Sequence, residues 1–271
     1  MIKILSVAGY DGSGGAGITS DSKIFSSLGI YGLSATSALT AQNPQSIHEV
    51  LPIPDKFFEK ELKAVFEYFN IDAVKTGIIS GTRQAEILAR LIKKYKARIL
   101  VVDPVFISTS NKKLTGGIDS YPELLFPLFA RATVITPNIK EAGLISGIGI
   151  KDEESMRAAA YAIRRLFPGI GNIVIKGSHL EGGIYKDRIF NILLDSKNHI
   201  YSINGKRIIT KRELHGTGCA FSGALVSFLA MGLSEREAVR AADKMVKKFI
   251  RNSGKIPDNS GDKKIHIIGN I

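Results

Sequence analysis

Residues 2–21, IKILSVAGYDGSGGAGITSD, run from an apolar stretch through a glycine-rich turn into the start of a helix. The apolar stretch is typical of a buried parallel strand. Gly14, Gly15 and Gly17 would let the backbone approach a ligand closely, although a tight strand-to-helix turn also needs such glycines. The turn has neither the dinucleotide spacing G-x-G-x-x-G nor the Gly-Lys-Ser/Thr of a P-loop. The stretch therefore predicts a strand–turn–helix unit without either common nucleotide fingerprint.

The same order of a short apolar run followed by a helical pattern recurs along the chain. Further buried-strand patterns are DAVKTG (72–77), RILVVDP (98–104), ATVITPN (132–138) and NIVIKGS (172–178). Alternating strands and helices predict an α/β fold with right-handed crossovers and a mostly parallel sheet. An antiparallel excursion is expected within residues 182–203. We find no internal repeat, low-complexity segment or linker, so a single domain over residues 1–271 is expected.

Composition and charge narrow the class of protein. Hydrophobic residues make up 44% and charged residues 23% of the 271, which is typical of a globular domain. The formal net charge is +12, but the basic residues occur as short scattered pairs. A nucleic-acid-binding surface would cluster them on one face or interleave aromatic residues. We therefore expect no nucleic-acid partner and a basic surface that attracts phosphorylated small molecules.

Two further features predict a cytoplasmic location and no membrane partner. No apolar run approaches the ~20 residues that cross a bilayer, and the N-terminal apolar stretch is too short for a signal peptide. Cys219 is the one cysteine, so no internal disulfide can form and a cysteine-based zinc site is disfavoured. Both features agree with a reducing compartment.

Polar residues follow several predicted strands at the point where each strand ends. In open α/β sheets, ligands bind outside the carboxyl ends of the strands. These polar residues therefore predict a binding site at that edge of the sheet. Its members are Asp11, Lys75, Thr76, Asp103, Asn138, Lys176 and Ser178.

Three oxygen-bearing residues of this kind are candidates for a magnesium site. Asn138 and Glu141 lie three positions apart at a helix start, so both can reach a metal ion or its waters. An N-cap with an acidic first turn is the equally favoured alternative. Asp103 precedes Pro104 and is either a second carboxylate for Mg²⁺ or a turn-forming aspartate.

The stretch HGTGCA (215–220) leads from a glycine turn into an apolar helix. Free N–H groups and the positive end of the helix dipole make such a turn an anion site. The same field is expected to lower the pKa of Cys219 and allow it to act as a base. The alternative is a small buried apolar side chain. Lys176 would neutralise phosphate oxygens, or else extend along the surface into solvent.

Two other polar residues are candidates for contacts with a ligand. Gln42, in ALTAQNP, has an amide that both donates and accepts and would suit the edge of a nitrogen heterocycle, although an ordinary loop glutamine is the more common case. Asp21 lies about one turn into the first helix, where it would point toward a ligand or favour the helix N-terminus.

Seven segments in order give the chain an end-to-end resemblance to a known family. They are AGYDGSGGAGITSD, ALTAQNP, VKTGIIS, VVDPVF, TPNIKEA, VIKGSHL and HGTGCAFSGAL. They resemble the hydroxymethylpyrimidine and phosphomethylpyrimidine kinases of thiamine biosynthesis, which belong to the ribokinase-like superfamily. The resemblance implies a central, mostly parallel sheet between helices, a homodimer, and Mg²⁺- and ATP-dependent phosphorylation of 4-amino-5-hydroxymethyl-2-methylpyrimidine and then of its monophosphate.

The resemblance also assigns residues to roles. Gly9, Asp21, Gln42 and Val105 would line the pyrimidine pocket, which Ile78 borders. Asp103 and Glu141 would arrange Mg²⁺ and its waters, and Lys176 would meet the phosphates. Gly216, Thr217 and Gly218 would form the anion hole, beside Cys219 as the base. Tyr10, Gly12 and Ile78 depart from the family's usual Ser or Thr, Pro and Met.

Two alternatives remain open. A pyridoxal or pyridoxine kinase of the same superfamily would also bind a nitrogen ring that bears a hydroxymethyl group, although such enzymes more often carry aspartate at the position of Cys219. A non-catalytic ligand sensor or nucleic-acid-binding module on the same fold would be expected to lack the anion hole, Lys176 or the two carboxylates.

Overall fold

The fold is built on one central sheet, seen in a computed structural model that describes residues 1–43, 46–105, 122–178, 180, 183–208, 213–252 and 265–267. The strands are β1 (Lys3–Asp11), β2 (Tyr31–Gln42), β3 (Ile47–Pro52), β4 (Ala73–Thr76), β5 (Ile99–Val102), β6 (Val134–Ile135), β7 (Asn172–Ile175), β8 (Arg188–Leu194), β9 (Ile200–Lys206), β10 (Glu213–His215) and β11 (Ile265–Ile267). The first nine form a nine-stranded sheet in the order β3-β2-β1-β4-β5-β6-β7-β8-β9.

The middle of the sheet is parallel and its edges are antiparallel. Strands β2, β1, β4, β5, β6 and β7 run parallel to one another. Strand β3 pairs antiparallel with β2 at one edge, while β8 and β9 form the antiparallel excursion that the sequence predicts. The short strands β10 and β11 pair parallel in a separate sheet.

Helices cover both faces of the sheet. They are α1 (Gly17–Ser27), α2 (Asp55–Tyr68), α3 (Thr82–Tyr95), α4 (Phe126–Phe129), α5 (Ile139–Ser146), α6 (Glu153–Leu166), α7 (Thr217–Ala230) and α8 (Glu235–Asn252). Helices α1, α7 and α8 contribute to one apolar core and α2 to α6 contribute to the other. The sheet therefore lies between two layers of helices, and the predicted α/β sandwich is confirmed. No helix in the described part of the chain has the length and apolar character of a membrane span.

The central strands alternate between the two cores. On β5, Leu100 and Val102 face the core under α2 to α6, while Val101 faces the core under α1, α7 and α8. Strands that are buried on both faces read as continuous apolar runs, which explains why the sequence shows them so clearly. Their parallel register brings Thr76 beside Val102 and aligns Asn138 with Lys176. The polar residues that follow these strands consequently meet at one edge of the sheet.

Candidate active site

A cavity of about 420 Å³ opens at the carboxyl ends of the parallel strands. It contains the glycine turn after β1, the ends of β4, β5 and β7, and the first turn of α7. Most of the predicted site residues line it: Gly9, Gln42, Ile78, Asp103, Val105, Asn138, Glu141, Lys176, Ser178, Gly216, Thr217, Gly218 and Cys219. Asp21 does not line it, and neither do Asp11, Lys75 and Thr76, which were predicted from their places at strand ends. The rule that ligands bind beyond the strand ends therefore gives the correct place for most of these side chains.

Two glycine turns pack against each other at the edge of this cavity. Gly17 has φ +58°, and a Cβ built there would lie 2.0 Å from the carbonyl oxygen of Gly9. Gly216 has φ +88°, and its Cβ would lie 1.7 Å from the carbonyl oxygen of Gly15. The Asp11 carboxylate accepts from the backbone N–H groups of Ser13 and Ala16, both at 2.8 Å. Both turns thus need glycine because another residue's backbone occupies the side-chain space.

The first turn of α7 forms a wall that is suited to an anion. The helix begins at Thr217 after Gly216, and no side chain caps its N-terminus. N–H groups in the first turn of a helix have no intrahelical acceptor and lie at the positive end of the helix dipole. A Cβ on Gly218 would lie 3.4 Å from Lys176 Nζ, so the ammonium is adjacent to these N–H groups. Backbone dipoles and a cation therefore face the same part of the cavity.

Lys176 and Asp103 form a buried ion pair next to Glu141. Lys176 Nζ lies 2.7 Å from Asp103 Oδ1, and only 8% of Lys176 is exposed. Burial alone would lower the pKa of Lys176, but attraction to Asp103 and Glu141 outweighs burial and raises it. Burial raises the pKa of Glu141 to about 8 against the opposing attraction of Lys176. The cluster therefore combines one permanent cation with a carboxyl group that is ready to gain or lose a proton near neutral pH.

The oxygens of this cluster fit a hydrated magnesium ion better than one held directly. Asp103 Oδ1 accepts from Thr136 Oγ1 at 3.0 Å, and Oδ2 accepts from Ser222 Oγ at 2.9 Å. No group of three or more acidic, histidine or cysteine side chains among the described residues is arranged to hold a metal ion. Mg²⁺ commonly retains several waters and binds through one or two carboxylates together with substrate phosphates. Asp103 and Glu141 are a donor set of that kind.

Asn138 caps helix α5, which is one of the two roles that the sequence left open. Its side-chain oxygen accepts from the Glu141 N–H at 3.0 Å, and Glu141 Oε2 accepts from the Asn138 N–H at 2.7 Å. This reciprocal pair is a capping box at the start of α5. The Asn138 amide oxygen is thus engaged with the helix, and the capping alternative describes it better than direct metal ligation.

Asp21 does not line the cavity, contrary to the expectation from the sequence. It is fully buried, and both of its carboxylate oxygens accept from Lys75 Nζ, at 3.0 and 2.8 Å. Ser6 Oγ donates to the same carboxylate at 2.5 Å. The side chain therefore points into the protein, because the buried ammonium of Lys75 is its partner.

The expected depression of the Cys219 pKa was wrong. Cys219 is half-buried in the first turn of α7, and burial raises the pKa of its thiol above the ordinary value. Lys75 acts in the opposite direction, while Asp103 and Asp21 add to the effect of burial. Desolvation of the thiolate thus outweighs the favourable field at the helix N-terminus.

Comparisons with known proteins show the family and agree with the fold. The family model described as phosphomethylpyrimidine kinase matches residues 11–264. The chain is 36% identical over 253 residues to the hydroxymethylpyrimidine/phosphomethylpyrimidine kinase of Aquifex aeolicus, covering 93% of this chain and 95% of that protein. It is 39% identical over 250 residues to the thiamine biosynthesis bifunctional protein ThiED of Geobacter sulfurreducens, covering 92% of this chain and 49% of that protein.

The chain belongs to the phosphomethylpyrimidine kinase family. The chain spans about half the length of its bifunctional relative and nearly all of the Aquifex kinase. Among solved structures, pyridoxal kinase from Staphylococcus aureus in complex with ADP superposes with a TM-score of 0.84 at 30% identity, covering 99% of this chain and 93% of that one. The predicted family, ribokinase-like fold and phosphotransferase class are therefore confirmed.

The far end of the cavity is lined by residues that were not predicted from the sequence. That end is formed by residues that carry no recognisable motif: Ile189, Asn191, Arg207, Ile208, Asp243, Val246, Lys247 and Ile250. Arg207 is the most strongly anchored of them, since its guanidinium donates to the carbonyl oxygens of Ser178, Leu180 and Tyr185 at 2.8, 2.8 and 3.0 Å. Four of these residues lie on α8, and no motif in the sequence shows that this helix approaches the cavity.

The raised pKa of Glu141 predicts how stability depends on pH. The unfolded chain loses this proton near the ordinary value of 4.5, whereas the folded protein keeps it up to about pH 8. Between these values the folded state binds one more proton, so this group makes stability fall as pH rises. We expect Glu141→Gln to gain thermal stability relative to the wild type as pH rises from 5 to 8.

Thermal unfolding in EDTA without nucleotide measures this difference. Glu154→Gln on the exposed face of α6 is the matched control and should track the wild type across the range. A gap between Glu141→Gln and the wild type that stays constant from pH 5 to 8 would contradict the prediction.

Proposed function

We propose that this chain transfers the γ-phosphoryl group of ATP to the hydroxymethyl group of 4-amino-5-hydroxymethyl-2-methylpyrimidine and then phosphorylates the monophosphate to the diphosphate, for thiamine diphosphate synthesis. The observation that carries the proposal is the continuity of one cavity. A pocket suited to a small heterocycle, at Gly9, Gln42 and Ile78, opens directly onto the anion-binding turn of α7 and onto Lys176. A hydroxymethyl group and a transferred phosphoryl group would meet at that junction.

The pyrimidine end combines apolar walls with one amide. Ile47 and Ile78 form a small buried apolar cluster, against which Val105 packs. A Cβ on Gly9 would lie 2.8 Å from Ile78 Cγ2, so glycine there keeps a flat surface for a ring. Gln42 lies at the rim and offers both a donor and an acceptor. This chemistry suits an aminopyrimidine, whose edge carries both acceptor and donor atoms.

ATP would occupy the other half of the cavity. Its phosphates fit between the first turn of α7 and Lys176, where N–H dipoles and a buried ammonium face the same space. The base would then extend toward Ile208, Val246 and Ile250, which give that end apolar walls. The ADP complex of the Staphylococcus aureus relative supports nucleotide binding by this fold.

Phosphoryl transfer depends mainly on positioning and on neutralising charge. Lys176 would neutralise a transferring phosphoryl oxygen, and the N–H groups of Thr217, Gly218 and Cys219 would stabilise the charge that develops there. Mg²⁺ held through waters by Asp103 and Glu141 would neutralise further phosphate charge. Cys219 lines the junction and would accept the proton of the attacking alcohol in the first step.

The test is an assay with ATP and Mg²⁺ that offers the hydroxymethylpyrimidine, its monophosphate and pyridoxine separately, with product masses recorded. We expect conversion of the first two to the mono- and diphosphate and poor conversion of pyridoxine. Preferential conversion of pyridoxine would instead support the pyridoxal kinase alternative, which the structural likeness to the Staphylococcus aureus enzyme keeps in view. Failure to phosphorylate any of the three compounds would contradict both kinase assignments. Tight DNA binding without ATP turnover would favour a non-catalytic protein.

Three further expectations complete this proposal. We propose that residues 1–271 act as one kinase domain, that two copies associate, and that the enzyme works in the cytoplasm on small molecules, without nucleic-acid or membrane partners. Sedimentation equilibrium of the full chain, with and without ATP, checks the homodimer. A single species at the 29.4 kDa of one chain would contradict it.

A further inference from the structure

A second buried ion pair lies outside the residues that the proposed reaction uses. Lys75 on β4 and Asp21 on α1 are both fully buried, and Nζ lies 2.8 Å from the nearer carboxylate oxygen. Ser6 on β1 adds a hydrogen bond to Asp21 at 2.5 Å. Moving two charges out of water costs free energy that their attraction only partly recovers. A pair of apolar side chains would fill this space without that desolvation cost. The presence of the Lys75–Asp21 ion pair here therefore needs an explanation.

The pair lies directly behind the cavity wall. A Cβ on Gly77, which lines the cavity, would lie 3.6 Å from Lys75 Nζ. A Cβ on Gly223 would lie 3.2 Å from Asp21 Oδ1. Gly223 is one turn beyond Cys219 on the same face of α7. The ammonium and its carboxylate therefore occupy the space between the ends of the central strands and the first two turns of the helix that carries Cys219.

We propose that Lys75 is a positioning residue of this site: its ammonium, held in place by Asp21 and Ser6, supplies fixed positive charge behind Cys219 and controls the reactivity of the thiol. The inference builds on the proposed function, but it concerns a property of the free protein. Glycine at positions 77 and 223 leaves room for the pair, and β4 and α1 fix its two members on rigid elements. Lys75 touches no substrate in this arrangement and would act through Cys219.

Charges on four elements face the Cys219 thiol. They are Lys75 on β4, Asp21 on α1, Asp103 after β5 and Lys176 after β7. Burial raises the pKa of Cys219, and Lys75 is the strongest opposing influence. Burial would lower the pKa of Lys75, but its neighbouring anions, Asp21 first among them, raise it and keep the side chain charged. Lys75 is thus the cation best placed to stabilise a thiolate.

The experiment uses the single cysteine of the full-length chain as its own probe. The rate of alkylation by iodoacetamide is followed against pH without substrate or nucleotide, with the modified site checked by mass spectrometry. The midpoint of the profile reports the charge environment of the thiol, whereas the plateau rate reports its exposure. We expect Lys75→Met to raise the midpoint by about one pH unit or more, because the strongest influence that opposes burial is lost. Well below the midpoint, a shift of one pKa unit lowers the thiolate fraction about tenfold.

Asp21→Asn is the matched variant and should shift the midpoint in the opposite direction. It removes an anion that opposes the thiolate, and Cys219 then becomes the nearer partner for Lys75. Disruption of packing alone would expose the thiol in both variants and move both profiles the same way. Lys75→Arg should restore the wild-type midpoint at least in part, because it restores the cation.

Each result decides for or against the inference. An unchanged or lowered midpoint in Lys75→Met overturns it, and so does an unchanged or raised midpoint in Asp21→Asn. If Lys75→Met does not fold, Asp21→Asn alone decides. Because no step of the experiment requires phosphoryl transfer, failure of the substrate assay and failure of this inference are separately visible.

Discussion

Replacing Lys176 with methionine is expected to lower kcat for phosphorylation of the hydroxymethylpyrimidine by about 10³-fold. Removal of a cation that stabilises the transition state of phosphoryl transfer typically lowers kcat by at least this factor. The Lys176 ammonium lies 2.7 Å from Asp103 and beside the first turn of α7. Methionine keeps most of the unbranched side chain and lacks the terminal ammonium, with its charge and its donors. The loss should appear mainly in kcat, because neutralisation matters most while charge develops on the transferring group.

The loss of Lys176 also leaves two buried carboxyl groups without their shared cation. Glu141, whose pKa burial raises to about 8, would hold its proton to a still higher pH. Steady-state kinetics with ATP and the pyrimidine varied independently separates kcat from both KM values. Lys56→Met on the exposed start of α2 is the matched control and should leave all three constants unchanged. A Lys176→Met enzyme with normal kcat and a raised KM for ATP would limit Lys176 to ground-state binding.

The site could be predicted from the sequence to a large extent because its residues follow buried parallel strands. An apolar run such as RILVVDP fixes both the strand and the place where it stops, and parallel pairing brings those ends together. Asp103 and Lys176 are found in this way without knowledge of side-chain directions, whereas the turn from Gly216 to Gly218 is found from its glycines ahead of an apolar helix. The rule locates the edge of the sheet where the cavity opens, but Lys75 and Thr76, which it also selects, are buried and do not line that cavity.

Other features depend on which groups meet after folding. Asp21 and Lys75 were both strand-end or helix-start candidates, but their burial as partners is decided by packing between α1 and β4. The direction of the Cys219 pKa shift depends on the balance between burial and a helix dipole, which local sequence does not reveal. Strand β3, IHEVLP, was missed because only Ile47 is buried on that edge strand and its apolar residues do not alternate with polar ones.

Removal of the Cys219 thiol is expected to damage the two phosphorylations unequally. The first nucleophile is an alcohol that must lose a proton, and general bases contribute about 10²- to 10⁴-fold to such steps. The second nucleophile is a phosphate that already carries about −1.5 to −2 charge at pH 7 and needs no base. We therefore expect Cys219→Ala to lower kcat for the hydroxymethylpyrimidine by about 10²-fold or more, with a much smaller change for the monophosphate.

The raised pKa of Cys219 adds a pH signature to this difference. A thiol with a raised pKa is mostly protonated at neutral pH, so its reactive thiolate fraction grows as pH increases. The rate of the first step should rise with pH in the wild type, and this rise should disappear in Cys219→Ala. The second step should lack a thiol-dependent rise in both proteins, which makes it an internal control within one preparation. Equal losses in both steps would instead make Cys219 a packing or substrate-contact residue, because only the alcohol needs a general base.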